Sequence, residues 1–162
     1  MTLNNQPIKI EIEMESGGVI AAELYPDVAP ITVENFVSLA KSGFYDGLTF
    51  HRIVEGFVIQ GGDPVGNGTG GSGKNIKGEF AANGFKNDLK HDRGVLSMAR
   101  AMPYDSASSQ FFIMLAPAYY LDGQYAAFGR VTEGMDVVDG IVAADLRGIG
   151  GVPRMKSVRV LD

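Results

Sequence analysis

The sequence predicts a mainly β protein of one domain, in which an antiparallel sheet or barrel has its open ends covered by two helices. Many short apolar runs are separated by glycine, asparagine, aspartate and proline, which is typical of strands and turns. Only two stretches have helical spacing, and strands do not alternate with helices as they would around a parallel sheet. The chain of 162 residues has the size of one domain, and no linker or repeat divides residues 1–162.

The first elements are a hairpin and a helix. Apolar and charged residues alternate over 8–15, a Ser-Gly-Gly turn follows, and 19–24 make the second strand. Pro30 suits the first turn of a helix, and Lys41 and Gly43 provide its end. The apolar residues between them recur at helical spacing: Val33, Phe36, Val37 and Ala40.

The rest of the chain supplies further strands and one weaker helix. The predicted strands are 50–54, 57–60, 95–99, 111–115, 126–131 and 158–161. The second helix follows Thr132-Glu133 and presents Met135, Val138, Ile141 and Val142 at helical spacing.

Composition excludes several kinds of chemistry. The chain has no cysteine, so disulfides and thiolate sites are excluded, and two histidines are too few for a histidine-rich metal site. The formal net charge of −5 argues against binding nucleic acid or an anionic membrane through bulk charge. Residues 1–7 lack a signal-peptide pattern, and no apolar run is long enough to span a bilayer. We therefore expect a soluble cytoplasmic protein.

A glycine-rich segment, 68–75, has the spacing of a phosphate-binding loop up to its last position. That position should be serine or threonine to hold magnesium, and here it is Asn75. Such a loop also needs a helix directly after it, and 76–80 has no helical pattern. A glycine-rich surface loop is the preferred interpretation.

A hydrolytic site would combine a histidine, His51 or His91, with a serine and an aspartate. The candidate serines are Ser97, Ser108 and Ser109. Nothing in the sequence fixes their geometry, and no Gly-x-Ser-x-Gly elbow occurs. In a regular strand His51 points away from the face of its neighbour Arg52, so a packing role is preferred for it.

Arg52 is the most informative residue, because it stands in the apolar stretch Phe50-His51-Arg52-Ile53-Val54. A guanidinium is always charged, so it must either reach water or face a group that accepts hydrogen bonds. Strand alternation alone leaves both readings open. Alternation also places Gln110, Phe112 and Met114 on one face of a strand, so an amide and an aromatic ring share that face. Packing beneath a helix and the floor of an apolar pocket are both compatible with this pattern.

These blocks closely resemble the cyclophilin family of peptidyl-prolyl cis-trans isomerases, over nearly the whole chain from residue 8 to 161. The matching blocks occur in family order: Phe-His-Arg-Ile, Gly-Phe-x-x-Gln-Gly-Gly-Asp, Gly-Thr-Gly-Gly, Ser-Gln-Phe-Phe-Ile and Leu-Asp-Gly. The resemblance implies a closed eight-stranded antiparallel β-barrel capped by two α-helices, with the substrate groove on its outer face. It also implies an enzyme without metal, cofactor or covalent intermediate, most like the bacterial cytoplasmic branch.

Carried over by matching position, the resemblance implies the following site. The catalytic arginine is Arg52, and Gln60 and Gln110 orient it and the substrate backbone. The proline pocket is lined by Phe57, Val58, Phe112 and Leu121. The wall beside the residue that precedes proline is formed by Ala99, Arg100 and Ala101. The segments 68–71 and 102–108 border an adjoining subsite.

Tyr120 and Tyr125 complete the implied substrate-binding set, and both depart from the common family pattern. Many cyclophilins carry tryptophan where this chain has Tyr120 and histidine where it has Tyr125. Tryptophan is tied in the family to tight binding of the cyclic peptide cyclosporin, so we expect cyclosporin to bind with reduced affinity here. Tyr125 should still pack against a proline ring.

The expected partners are proline-containing peptides and unfolded or folded proteins, with no nucleic acid or membrane partner, and the expected state is a monomer. A different class of function uses the same groove: a peptide-binding or chaperone-like module that holds proline segments with little catalysis. The retained Arg52 favours the enzyme.

Overall fold

The computed structural model describes residues 6–161 and confirms the predicted mainly β fold with two helices. Strands β1 (Ile8–Met14) and β2 (Val19–Leu24) form the opening hairpin, with Ile10, Ile12 and Met14 buried. The other strands are β3 (Arg52–Val54), β4 (Val58–Gly61), β5 (Val95–Met98), β6 (Phe111–Met114), β7 (Ala127–Glu133) and β8 (Met155–Val160). The prediction about an export signal concerns 1–7, and of these 1–5 lie outside the described residues.

The helices are α1 (Pro30–Lys41) and α2 (Met135–Leu146), close to their predicted positions. Pro30 starts α1, because the missing N–H of proline costs nothing where helical N–H groups have no partner. Gly134 precedes α2 with φ of 98°, a conformation that favours glycine. Within 6–161 the structure contains no helix with the length and apolarity that crossing a membrane requires.

The strands form one antiparallel sheet in the order β3-β4-β6-β5-β7-β2-β1-β8. The two edge strands, β3 and β8, do not pair along their length within the described part of the chain. Just before each of them a single bridge joins Thr49 to Arg154, and the Phe50 N–H donates to the Pro153 carbonyl at 2.9 Å. The expected closed barrel is thus corrected to a curled sheet that is joined at its edges by an isolated bridge.

The sheet separates two apolar clusters, because successive side chains of a strand point to opposite faces. The larger cluster fills the interior beneath α1, where the Phe36 and Phe111 rings meet edge to face with centroids 5.3 Å apart. The smaller cluster lies on the outer face and includes Val58, Phe112 and Leu121. The outer cluster is where the predicted pocket residues fall.

The N-terminus of α1 is capped by a residue distant in sequence, which the sequence did not reveal. Ala29, the residue before the helix, offers no side-chain cap. Instead the buried Glu79 carboxylate accepts hydrogen bonds from the Ile31 N–H at 3.2 Å and from the N–H and hydroxyl of Thr32, each at 2.7 Å. These bonds satisfy helical N–H groups that would otherwise be buried without partners.

Candidate active site

Strand pairing places one row of side chains across the outer face of the sheet. Arg52 on β3 lies opposite Gln60 on β4, Gln60 lies opposite Phe112 on β6, and Phe112 lies opposite Ser97 on β5. Directly opposed residues share a face, so the arginine, the amide and the ring stand side by side. Burial increases along the row, from exposed Arg52 to fully buried Ser97.

A chain of three hydrogen bonds connects the polar groups of the site, and in each bond the group nearer Arg52 is the donor. An Arg52 Nη1 hydrogen is donated to Gln60 Oε1 at 3.1 Å, Gln60 Nε2 donates to Gln110 Oε1 at 2.9 Å, and Gln110 Nε2 donates to the Gly70 carbonyl at 2.8 Å. Since Gln60 accepts at its oxygen and donates at its nitrogen, this chain fixes how both amides are turned. The chain ties the guanidinium to the loop that contains Gly70.

Beside this row lies a pocket of about 210 Å³. It is lined by Arg52, Phe57, Val58, Gln60, Ala99, Arg100, Phe112, Leu121 and Tyr125. The Phe112 and Tyr125 rings meet edge to face with their centroids 5.9 Å apart, so they form an aromatic corner. Arg52, Gln60 and Arg100 make the polar edges of a hollow whose apolar floor is formed by Val58, Phe112 and Leu121.

Tyr120 does not line this pocket. Its ring stacks on Phe57 with centroids 6.4 Å apart and planes 19° apart, and 73% of the residue is exposed. The phenol is therefore exposed at the outer edge of the pocket, at the position where many cyclophilins carry tryptophan.

A second hollow of about 300 Å³ adjoins the first and shares Gln60, Ala99 and Arg100 with it. The other two predicted residues, Ala101 and Gln110, line this second hollow. Its remaining walls come from Gly68, Thr69, Gly70, Gly71, Asn75, Ser106 and Ser108. The structure thus divides the predicted site residues between two connected hollows, with Tyr120 outside both.

The glycine-rich loop is organised around a carboxylate. Buried Asp63 accepts hydrogen bonds from the N–H groups of Val65, Asn67 and Gly68. Burial works to raise the pKa of Asp63, but these donors together with the Gly70 N–H outweigh it and hold the pKa below its ordinary value. The N–H groups that would cradle a phosphate already bind an anion of the protein itself, and the loop leads into no α-helix, so the structure agrees with the surface-loop interpretation.

The structure does bring together a serine, a histidine and an aspartate. His91 Nδ1 lies 2.9 Å from Asp122 Oδ1, and His91 Nε2 lies 2.9 Å from Ser97 Oγ. His91 and Ser97 are fully buried, and the imidazole stacks against Phe112 at a centroid distance of 6.2 Å. No substrate carbonyl can reach a hydroxyl in that position, so the arrangement supports the pocket floor and carries no hydrolysis.

Burial lowers the pKa of His91, and the neighbouring Asp122 only partly opposes this shift. The imidazole is therefore neutral near pH 7. The main-chain N–H of His91 also donates to Asp122 Oδ1 at 2.7 Å, and the main-chain carbonyl of His91 accepts from the Ala118 N–H at 2.9 Å. His91 thereby anchors the segment that carries Leu121.

His51 takes no part in the row. Its ring nitrogens are buried, and neither makes a hydrogen bond within the described residues. Burial is the main cause that lowers its pKa, while Asp63 opposes the shift and Arg52 adds to it. This agrees with the packing role preferred from the sequence.

The family model described as "Cyclophilin type peptidyl-prolyl cis-trans isomerase/CLD" matches residues 9–161. The chain is 47% identical over 147 residues to "Peptidyl-prolyl cis-trans isomerase B" of Bacillus subtilis, an alignment that covers 91% of this chain and 94% of that protein.

Solved structures show the same similarity. The fold resembles a crystal structure of a cyclophilin-type peptidyl-prolyl cis-trans isomerase of Cryptosporidium parvum, with a TM-score of 0.85 and 30% identity over 97% of this chain and 99% of that one. A structure of the same protein in the presence of the dipeptide Ala-Pro matches with a TM-score of 0.83 and 29% identity, over 95% and 99% of the two chains.

Proposed function

Because the chain belongs to the cyclophilin family of peptidyl-prolyl cis-trans isomerases and is itself such an isomerase, we propose that the Arg52 guanidinium is its catalytic group. The observation that carries this proposal is the placement of Arg52 at the rim of the apolar pocket, held by Gln60. One N–H group is used in that bond, which leaves others of the planar fork for a substrate.

The reaction needs stabilisation of a twisted amide and no bond cleavage. Resonance keeps the bond before proline planar, with a barrier of roughly 18–20 kcal/mol. As the amide twists, the proline nitrogen regains a lone pair that a guanidinium N–H can bind. The planar ground state offers no such lone pair, so this hydrogen bond favours the transition state.

The pocket strengthens the same interaction. Phe57, Val58, Phe112 and Leu121 offer an apolar hollow to the proline ring, and a bound ring excludes water from the Arg52 side. A barrier lower by about 7 kcal/mol corresponds to an acceleration of roughly 10⁵-fold, which a charged donor, orientation and desolvation can supply together.

The proposed substrates are proline-containing segments of peptides and of unfolded or folded proteins. The structural relative from Cryptosporidium parvum was solved in the presence of Ala-Pro, which supports a proline ligand for the matching groove. The wall formed by residues 99–101 and the second hollow would receive the residues that precede proline. Gln60 and Gln110 would hold the substrate backbone and Arg52 in register.

The test is an assay whose slow phase is prolyl isomerisation, in a peptide or in a refolding protein. We expect Arg52→Ala to lower kcat/KM by about 10²–10³-fold, the loss typical when one transition-state donor is removed. The matched control is Arg130→Ala, which removes an exposed arginine from β7 and leaves the groove intact. Equal acceleration by wild type and Arg52→Ala would overturn the role of Arg52. No acceleration by wild type would leave only the binding-module alternative.

Cyclosporin is a proposed ligand of reduced affinity, because Tyr120 is an exposed phenol that rests on Phe57. Tyr120→Trp puts a larger ring at the outer edge of the pocket and adds an indole N–H donor. An indole covers on the order of 50 Å² more apolar surface than a phenol, so cyclosporin should inhibit Tyr120→Trp about tenfold more strongly. Tyr119→Trp, on the neighbouring exposed tyrosine, serves as the control. Equal inhibition of wild type and Tyr120→Trp would contradict the proposal.

We also propose that residues 1–162 form one domain that acts as a monomer in the cytoplasm. A single sheet runs through the described chain, and a sequence without cysteine suits a reducing compartment. Light scattering after size-exclusion chromatography and fractionation of the source cells test the two statements. A stable dimer or an exported product would contradict them.

A further inference from the structure

The Arg100 side chain is surrounded by aromatic rings. Its Cζ lies 4.6 Å from the centroid of the Tyr125 ring, 5.0 Å from that of Phe80 and 5.1 Å from that of Tyr104. All three distances are within the range of about 6 Å in which a cation is attracted to a ring face. The guanidinium is therefore held by rings that come from separate segments of the chain.

The same guanidinium binds main-chain carbonyls of two segments. Nε and Nη2 donate to the Gln124 carbonyl at 3.1 and 2.8 Å. Nη1 donates to the carbonyls of Ala101 and Met102 at 3.0 and 3.2 Å. A planar fork can make these bonds and face the rings at once, whereas the ammonium of lysine is a compact point charge without that plane.

The two segments joined by Arg100 are walls of the two hollows. Gln124 precedes Tyr125, which forms the aromatic corner of the proline pocket with Phe112. Ala101 lines the second hollow, and its N–H donates to Ser106 Oγ, which lines the same hollow, at 2.9 Å. Because these carbonyls use four of the five guanidinium N–H groups, the side chain holds the walls and is not directed at the reacting bond.

We propose that Arg100 is a positioning residue that couples the two hollows, so that residues before proline improve catalysis only while Arg100 keeps both walls in place. This inference rests on the proposed function of the groove. The guanidinium acts through Tyr125 and through the segment 101–106. Its loss frees that segment from Gln124 and makes the second hollow a poorer site, while Arg52 and the floor of the proline pocket remain.

The test compares two substrates by NMR exchange: a blocked Ala-Pro dipeptide, and the same dipeptide extended by three residues on its N-terminal side. In wild type we expect the extension to raise kcat/KM. In Arg100→Gln and Arg100→Lys we expect this gain to fall about tenfold, mainly through KM, because ring contacts and charge-assisted bonds are lost together. Arg130→Gln, which changes an arginine outside the groove, should keep the gain.

A second variant separates positioning from general stability. Tyr104→Leu removes one ring from Arg100 at a residue that is 40% exposed and lines neither hollow. As a single change, we expect Tyr104→Leu to reduce the increase in kcat/KM that the extension gives by about twofold to threefold. Added to Arg100→Gln it should cause no further reduction, since both changes disrupt the same packing of the Arg100 guanidinium against its rings.

A purely structural role for Arg100 predicts a different pattern, in which the melting temperature falls and both substrates lose the same factor. An unchanged gain in Arg100→Gln, or equal losses on both substrates, would overturn the coupling. Failure of the proposed function is distinguishable, because it would appear as unaltered rates in Arg52→Ala on both substrates.

Discussion

Strand β6 presents two faces that use aromatic residues differently. Phe111 points to the inside of the curled sheet, where its ring meets Phe36, Tyr45 and Phe50 edge to face with centroids 5.3 to 6.0 Å apart. Phe112 points outward, beside Gln60 in the row and against the buried His91 ring. The apolar side chains of the inner face are covered by other side chains of the same protein, so they need no other molecule.

The outer face differs, because some of its apolar side chains line a pocket and hydrogen-bonded polar groups lie along the edge of that pocket. Gln60, Gln110 and Asp63 hold the strands and the loop around that pocket. Alternation along one strand thus separates stability from activity, so substitutions on the two faces should have different consequences.

The sharpest test replaces the neighbouring rings one at a time. Phe111→Ala should lower the free energy of unfolding by about 3–5 kcal/mol, the usual cost of emptying a packed core, while folded molecules keep their kcat/KM. Phe112→Ala should cost less stability, since Phe112 belongs to the smaller outer cluster and lines the pocket, but should raise KM strongly. Denaturant unfolding and activity per folded molecule measure both effects.

Phe111→Leu provides a milder version in case the alanine variant does not fold. The separation of the two faces would be wrong if Phe111→Leu and Phe112→Leu changed stability and KM in the same proportion.

A smaller effect is expected at Glu79, one of the buried polar residues. Glu79→Gln keeps the shape but loses the charge and one acceptor for the N-terminal N–H groups of α1, which should cost about 1–3 kcal/mol of unfolding free energy. kcat/KM should stay the same, because Glu79 lines neither hollow. Exposed Glu34 gives the control Glu34→Gln, with a change below about 0.5 kcal/mol. Loss of activity without loss of stability would contradict the assignment of Glu79 to the interior.

The smallest expected effect is the pH dependence contributed by His91 beneath the outer face. Its pKa in the folded protein lies below the ordinary value of 6.5, so on acidification the unfolded chain takes up a proton before the folded protein does. This contribution to stability is complete above pH 6.5 and is lost as the pH falls towards the folded pKa. One such group gives a slope of at most about 1.4 kcal/mol per pH unit.

Urea unfolding at several pH values between about 5 and 8 measures that slope. His91→Gln should flatten it. His51 has a pKa shifted in the same direction, so His51→Gln is the informative comparison, and the double variant should be flatter than either. An unchanged slope in His91→Gln would show that the floor of the pocket does not depend on a neutral imidazole.

Local pattern was sufficient for much of the fold and part of the site. The alternation in β1, the Ser-Gly-Gly turn and the helical spacing after Pro30 predicted the hairpin and α1 close to their observed bounds. Alternation also assigned Phe111 and Phe112 correctly to opposite faces. These features depend on residues a few positions apart, which interact within one element.

Other features could not be predicted, because they depend on which distant segments meet. The cap of α1 comes from Glu79, the support of Phe112 comes from His91 and Asp122, and the rings around Arg100 come from three segments. Periodicity gives no information about such partners. That the edges of the curled sheet meet at one bridge between Thr49 and Arg154, and not along a full ladder, also lies beyond strand periodicity.

Residue patterns were sufficient to predict a cysteine-free β chain with two helices, the opposite faces of β6 and the family blocks that contain Arg52. Only the folded chain revealed that Arg52, Gln60, Phe112 and Ser97 form one row, that Tyr120 lies outside the pocket, and that the Arg100 guanidinium joins two walls. Strand order and register bring together groups far apart in the chain, so the hydrogen bonds and ring contacts of the site exist only once those strands have paired.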